Sequence, residues 1–262
     1  MIKRVVLGLL GLVLAALLLV GVEVVLALRR DYLPTKPALR IGGVYGEVDA
    51  PPLTFVVMGD STAAGVGAGS ADNAYPTLLA RRIAQERYRV RLVGVGVSGE
   101  RLDDEIYDQI LEATAEKPDL VFVCLGANDV THLTRLRTVE ENMRSVIVSL
   151  EDADAEVVVA GPPDMRSPVF YEPLRTIVGW RGRAVQETIE EVAREEGVPV
   201  VPLADETRDF FAADPDRYYS EDDFHPSAAG YALWADVIFP YVEEVLPQRY
   251  PRATRLRSPS RP

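Results

Sequence analysis

The chain has 262 residues, 48% of them hydrophobic, which is ample for one α/β domain with accessory segments and excludes disorder throughout. Its formal charge is −12, and much of the positive charge sits at the ends, with four basic residues in 1–31 and five in 249–262. Residues 32–248 carry 19 basic against 38 acidic side chains, a body that repels phosphates and excludes nucleic acid as a partner.

Residues 5–28 are apolar apart from glycines and Glu23. At about 1.5 Å per residue this stretch reaches about 36 Å, enough to cross a hydrocarbon layer of about 30 Å with some tilt. Residues 1–30 are therefore expected to be a transmembrane anchor. The alternative is a cleaved signal sequence and a secreted protein, but the stretch is longer than an ordinary signal core and has no small-x-small site near its end. Lys3 and Arg4 before it nearly balance Arg29 and Arg30 after it, so charge does not settle orientation; the domain is placed outside the cytoplasm. Glu23 lies near the interface, where its carboxylate can snorkel or stay protonated. Residues 31–52, rich in Pro and Gly, are expected to be a linker that lifts the domain off the bilayer.

Short apolar, valine-rich runs follow at 54–58, 89–95, 120–125, 156–160 and 198–203. Near-continuous apolarity suits strands covered on both faces. Between and after them, residues 75–88, 102–115, 139–150, 170–196 and 227–246 show apolar positions at three- and four-residue steps. The alternation predicts an α/β fold: a three-layer α/β/α sandwich with a flavodoxin-like, mostly five-stranded parallel sheet, spanning residues 53–248. Residues 249–262 mix Arg, Pro and Ser and are expected to be a disordered tail.

One cysteine and two histidines cannot supply a disulfide or the usual zinc ligand sets, which leaves only oxygen ligation for any divalent ion. Cys124, inside an apolar run, reads as a small buried side chain. No metal and no cofactor are expected.

In an open parallel sheet, ligands collect beyond the carboxyl ends of the strands. There the chain carries Gly59-Asp60-Ser61, then Gly94-Val95-Gly96-Val97-Ser98-Gly99, then Gly126-Ala127-Asn128-Asp129, and, before the last helix, Asp222-Asp223-Phe224-His225-Pro226. A serine hydroxyl becomes a nucleophile when a histidine takes its proton, and the histidine does so when a carboxylate holds its other nitrogen. Ser61, His225 and Asp222 are those three parts, and the i to i+3 spacing of the last two brings them to one side of a turn or helix start. Donors must await the oxyanion: the Asn128 side-chain amide and the backbone N–H groups of Gly99 and Ser61 suit that task. Taken singly, Ser61 reads as a turn or helix cap and Asp222 as a surface acid. Pro226-Ser227 behind His225 marks a helix start that fixes it at the rim. His132, the other histidine, is assigned to packing or to lining the cleft, and Asp60 and Asp129 to holding loop backbones. The small residues 62–69 are expected to make a pliable, shallow rim that admits several acyl groups.

These four blocks, in this order, resemble the SGNH hydrolase superfamily, the GDSL-type esterases and lipases, over residues 54–246. The resemblance implies a serine ester hydrolase with Ser61 as nucleophile, Asp222 and His225 completing the triad, and Gly99 and Asn128 as oxyanion donors. It departs at Gly94, where many relatives have asparagine. Short acyl or lipid esters are the implied substrates, with glycan O-acetyl esterase or O-acyltransferase as the alternative on the same chemistry, and a non-catalytic binding protein as the second. Partners are then the ester itself and the membrane, through residues 5–28. The pattern Gly94-x-Gly96-x-x-Gly99 also matches a dinucleotide fingerprint, but it follows the second strand rather than the first, and Asp119 begins the third strand instead of ending it. No NAD or FAD binding is expected.

Overall fold

The computed structural model describes residues 2–36, 38–103 and 105–246, so the tail read at 249–262 lies outside the described residues. Helix α1 (Ile2–Leu28) comes first, and its Arg4–Leu28 stretch is long and apolar enough to cross a membrane. The domain then runs β1 (Gly42–Tyr45), β2 (Pro52–Gly59), α2 (Tyr75–Gln85), β3 (Arg89–Gly94), α3 (Ile106–Ala115), β4 (Leu120–Cys124), α4 (Ala127–Thr131) and α5 (Leu136–Glu151). It ends with β5 (Glu156–Ala160), α6 (Leu174–Glu196), β6 (Val200–Val201), α7 (Leu203–Ala213), α8 (Pro215–Tyr218) and α9 (Ala228–Val245).

The strands form one sheet in the order β1-β3-β2-β4-β5-β6. The five strands from β2 to β6 are parallel, in the flavodoxin-like order expected, and β1 is added antiparallel on the β3 edge. Side chains alternate across each strand, so neighbouring residues feed opposite layers. Phe55 and Val57 of β2 join Phe122, Tyr75, Leu79, Tyr231 and Trp234 beneath α2 and α9. Val56 and Met58 join Val121, Val123, Met143, Val146 and Ile189 beneath α3, α5 and α6. The three-layer sandwich follows directly.

The segment expected as a linker is part of the domain. Gly42–Tyr45 pairs with β3, register Gly42↔Val93 to Tyr45↔Val90, and Ile41 is buried against Gly94. Four residues, two of them glycine, are too few to show a strand's period, which is why sequence alone reads a tether. Gly94 itself becomes intelligible here: a Cβ at that position would lie 2.6 Å from Ile41 Cβ. The linker occupies the space that an asparagine side chain would need.

Other boundaries differ for local reasons. Strand β6 holds two residues where six were expected, because Pro199 and Pro202 flank it and cannot donate to the ladder. Helix α6 starts at Leu174 rather than 170, since Pro173 disfavours helical geometry in the residue before it. Helix α3 starts at Ile106 rather than 102, and the Leu102 N–H ahead of it meets the Asp129 carboxylate. Helix α7 has only the thin stripe Leu203, Ala204, Thr207 and Phe211, and its sequence reads as loop.

Gly94→Ala is expected to destabilise the chain by about 1–3 kcal/mol through overpacking. The same substitution in an Ile41→Gly background costs clearly less; a double-mutant cycle by urea denaturation measures the coupling.

Candidate active site

The chain's chemistry-bearing residues sit at the carboxyl ends of β2, β3 and β4 and on the loop before α9. The strand end at Gly59 is clamped from the helical layer by Gln109 of α3. Its side-chain oxygen accepts the Gly59 N–H at 2.7 Å, and its amide donates to the Gly59 carbonyl at 3.0 Å and to Glu100 at 3.1 Å. Sequence reasoning missed this buried glutamine; the only available signal was a polar residue on the apolar stripe of α3. Asp60 follows, buried, its carboxylate accepting from the N–H and hydroxyl of Thr62 at 2.9 and 2.8 Å, so the chain turns immediately after Ser61. Burial pushes the Asp60 carboxyl up from the usual range, against those hydrogen bonds. No regular helix follows Ser61, which disposes of the helix-cap reading.

Residues 219–226 form a closed turn. Tyr219 bridges Pro226, the Ser220 N–H donates to the His225 carbonyl at 2.8 Å, and Ser227 caps α9 by accepting the Gly230 N–H at 3.2 Å. Within the turn, the spacing of Asp222 and His225 brings them together. The His225 Nδ1–Asp222 Oδ2 distance is 2.6 Å, and His225 Nε2 lies 3.0 Å from Ser61 Oγ. An ionised carboxylate only accepts, so Nδ1 carries the proton at that contact, and Nε2 faces the Ser61 hydroxyl.

Asp222 collects further donors. Its Oδ1 accepts from the Ser220 hydroxyl at 2.9 Å and from the N–H groups of Phe224 and His225 at 3.0 and 2.9 Å. Its Oδ2 also accepts the N–H of Leu33, at 3.1 Å, from the segment that leaves α1. Burial alone would raise this carboxyl; the His225 side chain and the amides of His225 and Leu33 outweigh it and hold Asp222 well below the usual carboxylate range. Leu33 carries no sequence signal, because only its backbone acts. Arg30 reinforces the contact by pairing with Asp223 and donating to the Val169 carbonyl at 3.4 Å, and Tyr32 packs edge-on to Phe224.

Asn128 lies on α4 and lines the same cleft as Ser61 and His225. Its side-chain amide donates to the Glu100 carbonyl at 3.0 Å, one residue beyond Gly99. The second and third blocks therefore meet. Gly99 has φ +91°, and a Cβ there would meet nothing within 4 Å, so its glycine serves the left-handed backbone rather than a close approach. Its N–H has no partner among the described residues. Asp129, fully buried, receives the Leu102 N–H on both oxygens at 3.1 Å, holding that loop as expected. The segment Gly94 to Gly99 opens no helix; Val97 N–H bonds the Gly59 carbonyl at 3.0 Å, and the dinucleotide fingerprint has no helix N-terminus to act through. His132 is exposed at the end of α4, its Nδ1 2.9 Å from the Asn128 carbonyl.

The rim differs from expectation. Of residues 62–69 only Thr62 lines the cleft; Ala64 to Gly67 and Gly69 border a separate cavity of about 530 Å³ with Leu33, Pro34 and Leu39. The cleft walls are instead Pro163, Met165, Phe211 and Phe224, with Asp164 and Arg208 as polar members. Glu100, Asp103 and Glu105 place carboxylate oxygens within 4.8 Å of one another, but Asp103 pairs with Arg101 at 2.7 Å and Glu100 takes the Gln109 amide.

The fold, with Ser61, His225, Asp222 and Asn128 gathered at its strand ends, was compared with known proteins. The model of the GDSL-like lipase/acylhydrolase family matches residues 57–233. The chain is 31% identical over 213 residues to the GDSL-like esterase Rv1075c of Mycobacterium tuberculosis, covering 79% of this chain and 67% of that one. It is 28% identical over 133 residues to esterase TesA of Pseudomonas aeruginosa, covering 50% and 65%. Among solved structures, a lipase/acylhydrolase from Enterococcus faecalis has TM-score 0.61 at 24% identity, over 73% of this chain and 96% of that one. The crystal structure of TesA has TM-score 0.60 at 24% identity, over 74% and 99%. At that identity the two structures speak for the fold. The chain belongs to the GDSL-like lipase/acylhydrolase family of the SGNH hydrolase superfamily. It is an esterase-type hydrolase.

Because the folded pKa of Asp222 lies below its unfolded value, the carboxylate stabilises the fold above about pH 4 and loses that effect as pH falls further. The difference in Tm between the wild type and Asp222→Asn is therefore expected to shrink below about pH 4, as read by thermal unfolding across pH.

Proposed function

We propose that the protein is a serine esterase that hydrolyses carboxylic esters through an acyl-serine intermediate. The observation that carries this reading is the continuous line from Ser61 Oγ through the His225 ring to Asp222, at 3.0 and 2.6 Å, with Asn128 in the same cleft. Ser61 Oγ attacks the ester carbonyl carbon while its proton passes to His225 Nε2. The carbonyl electron pair moves onto oxygen, where the Asn128 side-chain amide and the N–H groups of Gly99 and Ser61 receive the charge. The intermediate collapses, the carbon–oxygen bond to the alcohol breaks, and the imidazolium returns its proton to the departing alkoxide. Water, deprotonated by the same nitrogen, then attacks the acyl carbon, the bond to Ser61 Oγ breaks with the imidazolium proton returning to that oxygen, and the acid is released. Throughout, Asp222 keeps the ring oriented and its Nδ1 protonated. No step calls on a cofactor.

The mostly apolar walls of the cleft suit an acyl or lipid-derived group. Residues 5–28 anchor the enzyme in a membrane, with the domain on the extracytoplasmic side; its length and composition support the anchor.

The full chain in detergent is expected to turn over p-nitrophenyl acetate and butyrate. Ser61→Ala lowers kcat by about 10⁴-fold or more, and turnover surviving it would overturn the assignment. Asn128→Ala, which removes one oxyanion donor, lowers kcat by about 100- to 1,000-fold. Leu33→Pro removes the backbone donor to Asp222 and lowers kcat by about tenfold, while Leu33→Ala keeps the N–H and the rate.

A further inference from the structure

The C-terminal part of α1 is not free of the domain. Val20 and Ala27 pack with Val178 and Phe224 around the buried cluster Val169, Phe170 and Leu174. Between them Glu23, 6% exposed, accepts the Leu174 N–H at 2.9 Å, at the start of α6 where the helix dipole favours a carboxylate. This dock limits how the helix can cross a membrane. The whole Arg4–Leu28 stretch is 25 residues, about 37 Å. The part ahead of the dock, residues 4–19, reaches only about 24 Å, short of the roughly 30 Å hydrocarbon layer. A spanning α1 must therefore use the docked turns as well, and that carries the adjoining end of α6 to the depth of the membrane interface.

That end of α6 has the surface such a position needs. Tyr171, Ile177 and Trp180 are 58%, 41% and 69% exposed, and Ile177 and Trp180, three residues apart, share a face that Ile177 joins to Leu174. Scattered exposed apolar side chains are ordinary on any protein, but these three flank in sequence Phe170, Leu174 and Val178, which pack with Val20 and Ala27 of the one apolar helix long enough to span a bilayer among the described residues. Tyr and Trp, apolar in body and polar at one end, concentrate at the headgroup level. Arg183, one turn beyond Trp180, is exposed and makes no ion pair or hydrogen bond among the described residues, so it is available to a lipid phosphate.

We propose that the first turns of α6, with Tyr171, Ile177 and Trp180, form a lipid-binding surface continuous with α1, so that the catalytic domain lies against the bilayer rather than above it. This rests on the reading of α1 as an anchor. Phe224 belongs both to the cluster that receives α1 and to the wall of the cleft. The wall of the cleft is therefore one side chain away from the cluster on which α1 docks, which brings the cleft near the phospholipid interface.

The chain has two tryptophans, and the other, Trp234, is 1% exposed in the core. Trp180 can thus be read by itself. The full chain is reconstituted into phosphatidylcholine vesicles, with or without bromine on the acyl carbons nearest the headgroup, and tryptophan emission is compared. Brominated lipid is expected to remove about half of the Trp180 emission, and Trp180→Phe to abolish the quenching by leaving only Trp234. A chain that floats with the vesicles after alkaline washing yet shows no quenching overturns the docked surface and leaves the anchor standing. A chain that alkaline washing strips from the vesicles overturns both. Ser61-dependent turnover of p-nitrophenyl acetate on the same vesicles tests the triad separately from either result.

Discussion

A buried carboxylate holds an imidazole only while it remains charged, and Asp222 remains charged because donors enclose it. Four of them are local: the Ser220 hydroxyl, the N–H groups of Phe224 and His225, and the His225 ring. They come from a turn closed on itself, so orientation and charge are set by the same few residues. The fifth, the Leu33 N–H, comes from the far end of the chain and makes the segment that leaves α1 part of the acid's surroundings. Without that set, desolvation would push Asp222 upward, and the imidazole would lose the partner that fixes its tautomer.

The other carboxyls of the site illustrate the opposite balance. Asp60 and Asp129 are buried with fewer donors, and desolvation pushes both upward. Each holds a loop: Asp60 the turn after Ser61, Asp129 the stretch at Leu102 that leads away from Gly99. Gln109 does related work without charge, fastening the Gly59 strand end to α3 and to Glu100. The strand end before Ser61 and the loop beyond Gly99 are thus held from the helical layer.

The N-terminal part of the molecule departs from a picture of domain and tether. Residues 31–52 supply an edge strand, bury Ile41 against Gly94, and send Leu33 to Asp222. The polar residue inside the apolar helix, Glu23, is satisfied by the start of α6 rather than left to snorkel. Helix α1, the edge strand and the candidate site are thus joined by direct contacts, with Arg30 and Leu33 reaching the acid loop.

By itself the sequence determined the layered α/β fold, the five parallel strands and the long apolar helix, because each rests on local periodicity that a chain shows before it folds. It also singled out Ser61, Asn128, Asp222 and His225, since strand ends, a helix start and an i to i+3 spacing are local features. Tertiary structure alone decided the rest. The contribution of Leu33 is a backbone amide, and every non-proline residue has one, so composition cannot mark it. Gln109, the Ile41–Gly94 contact and the Glu23–Leu174 bond pair residues 50 or more positions apart, and no pattern along the chain encodes which of them will meet. Whether residues 62–69 or Met165 and Phe224 line the cleft was likewise settled by packing, where backbone path and shape, not residue type, choose the wall.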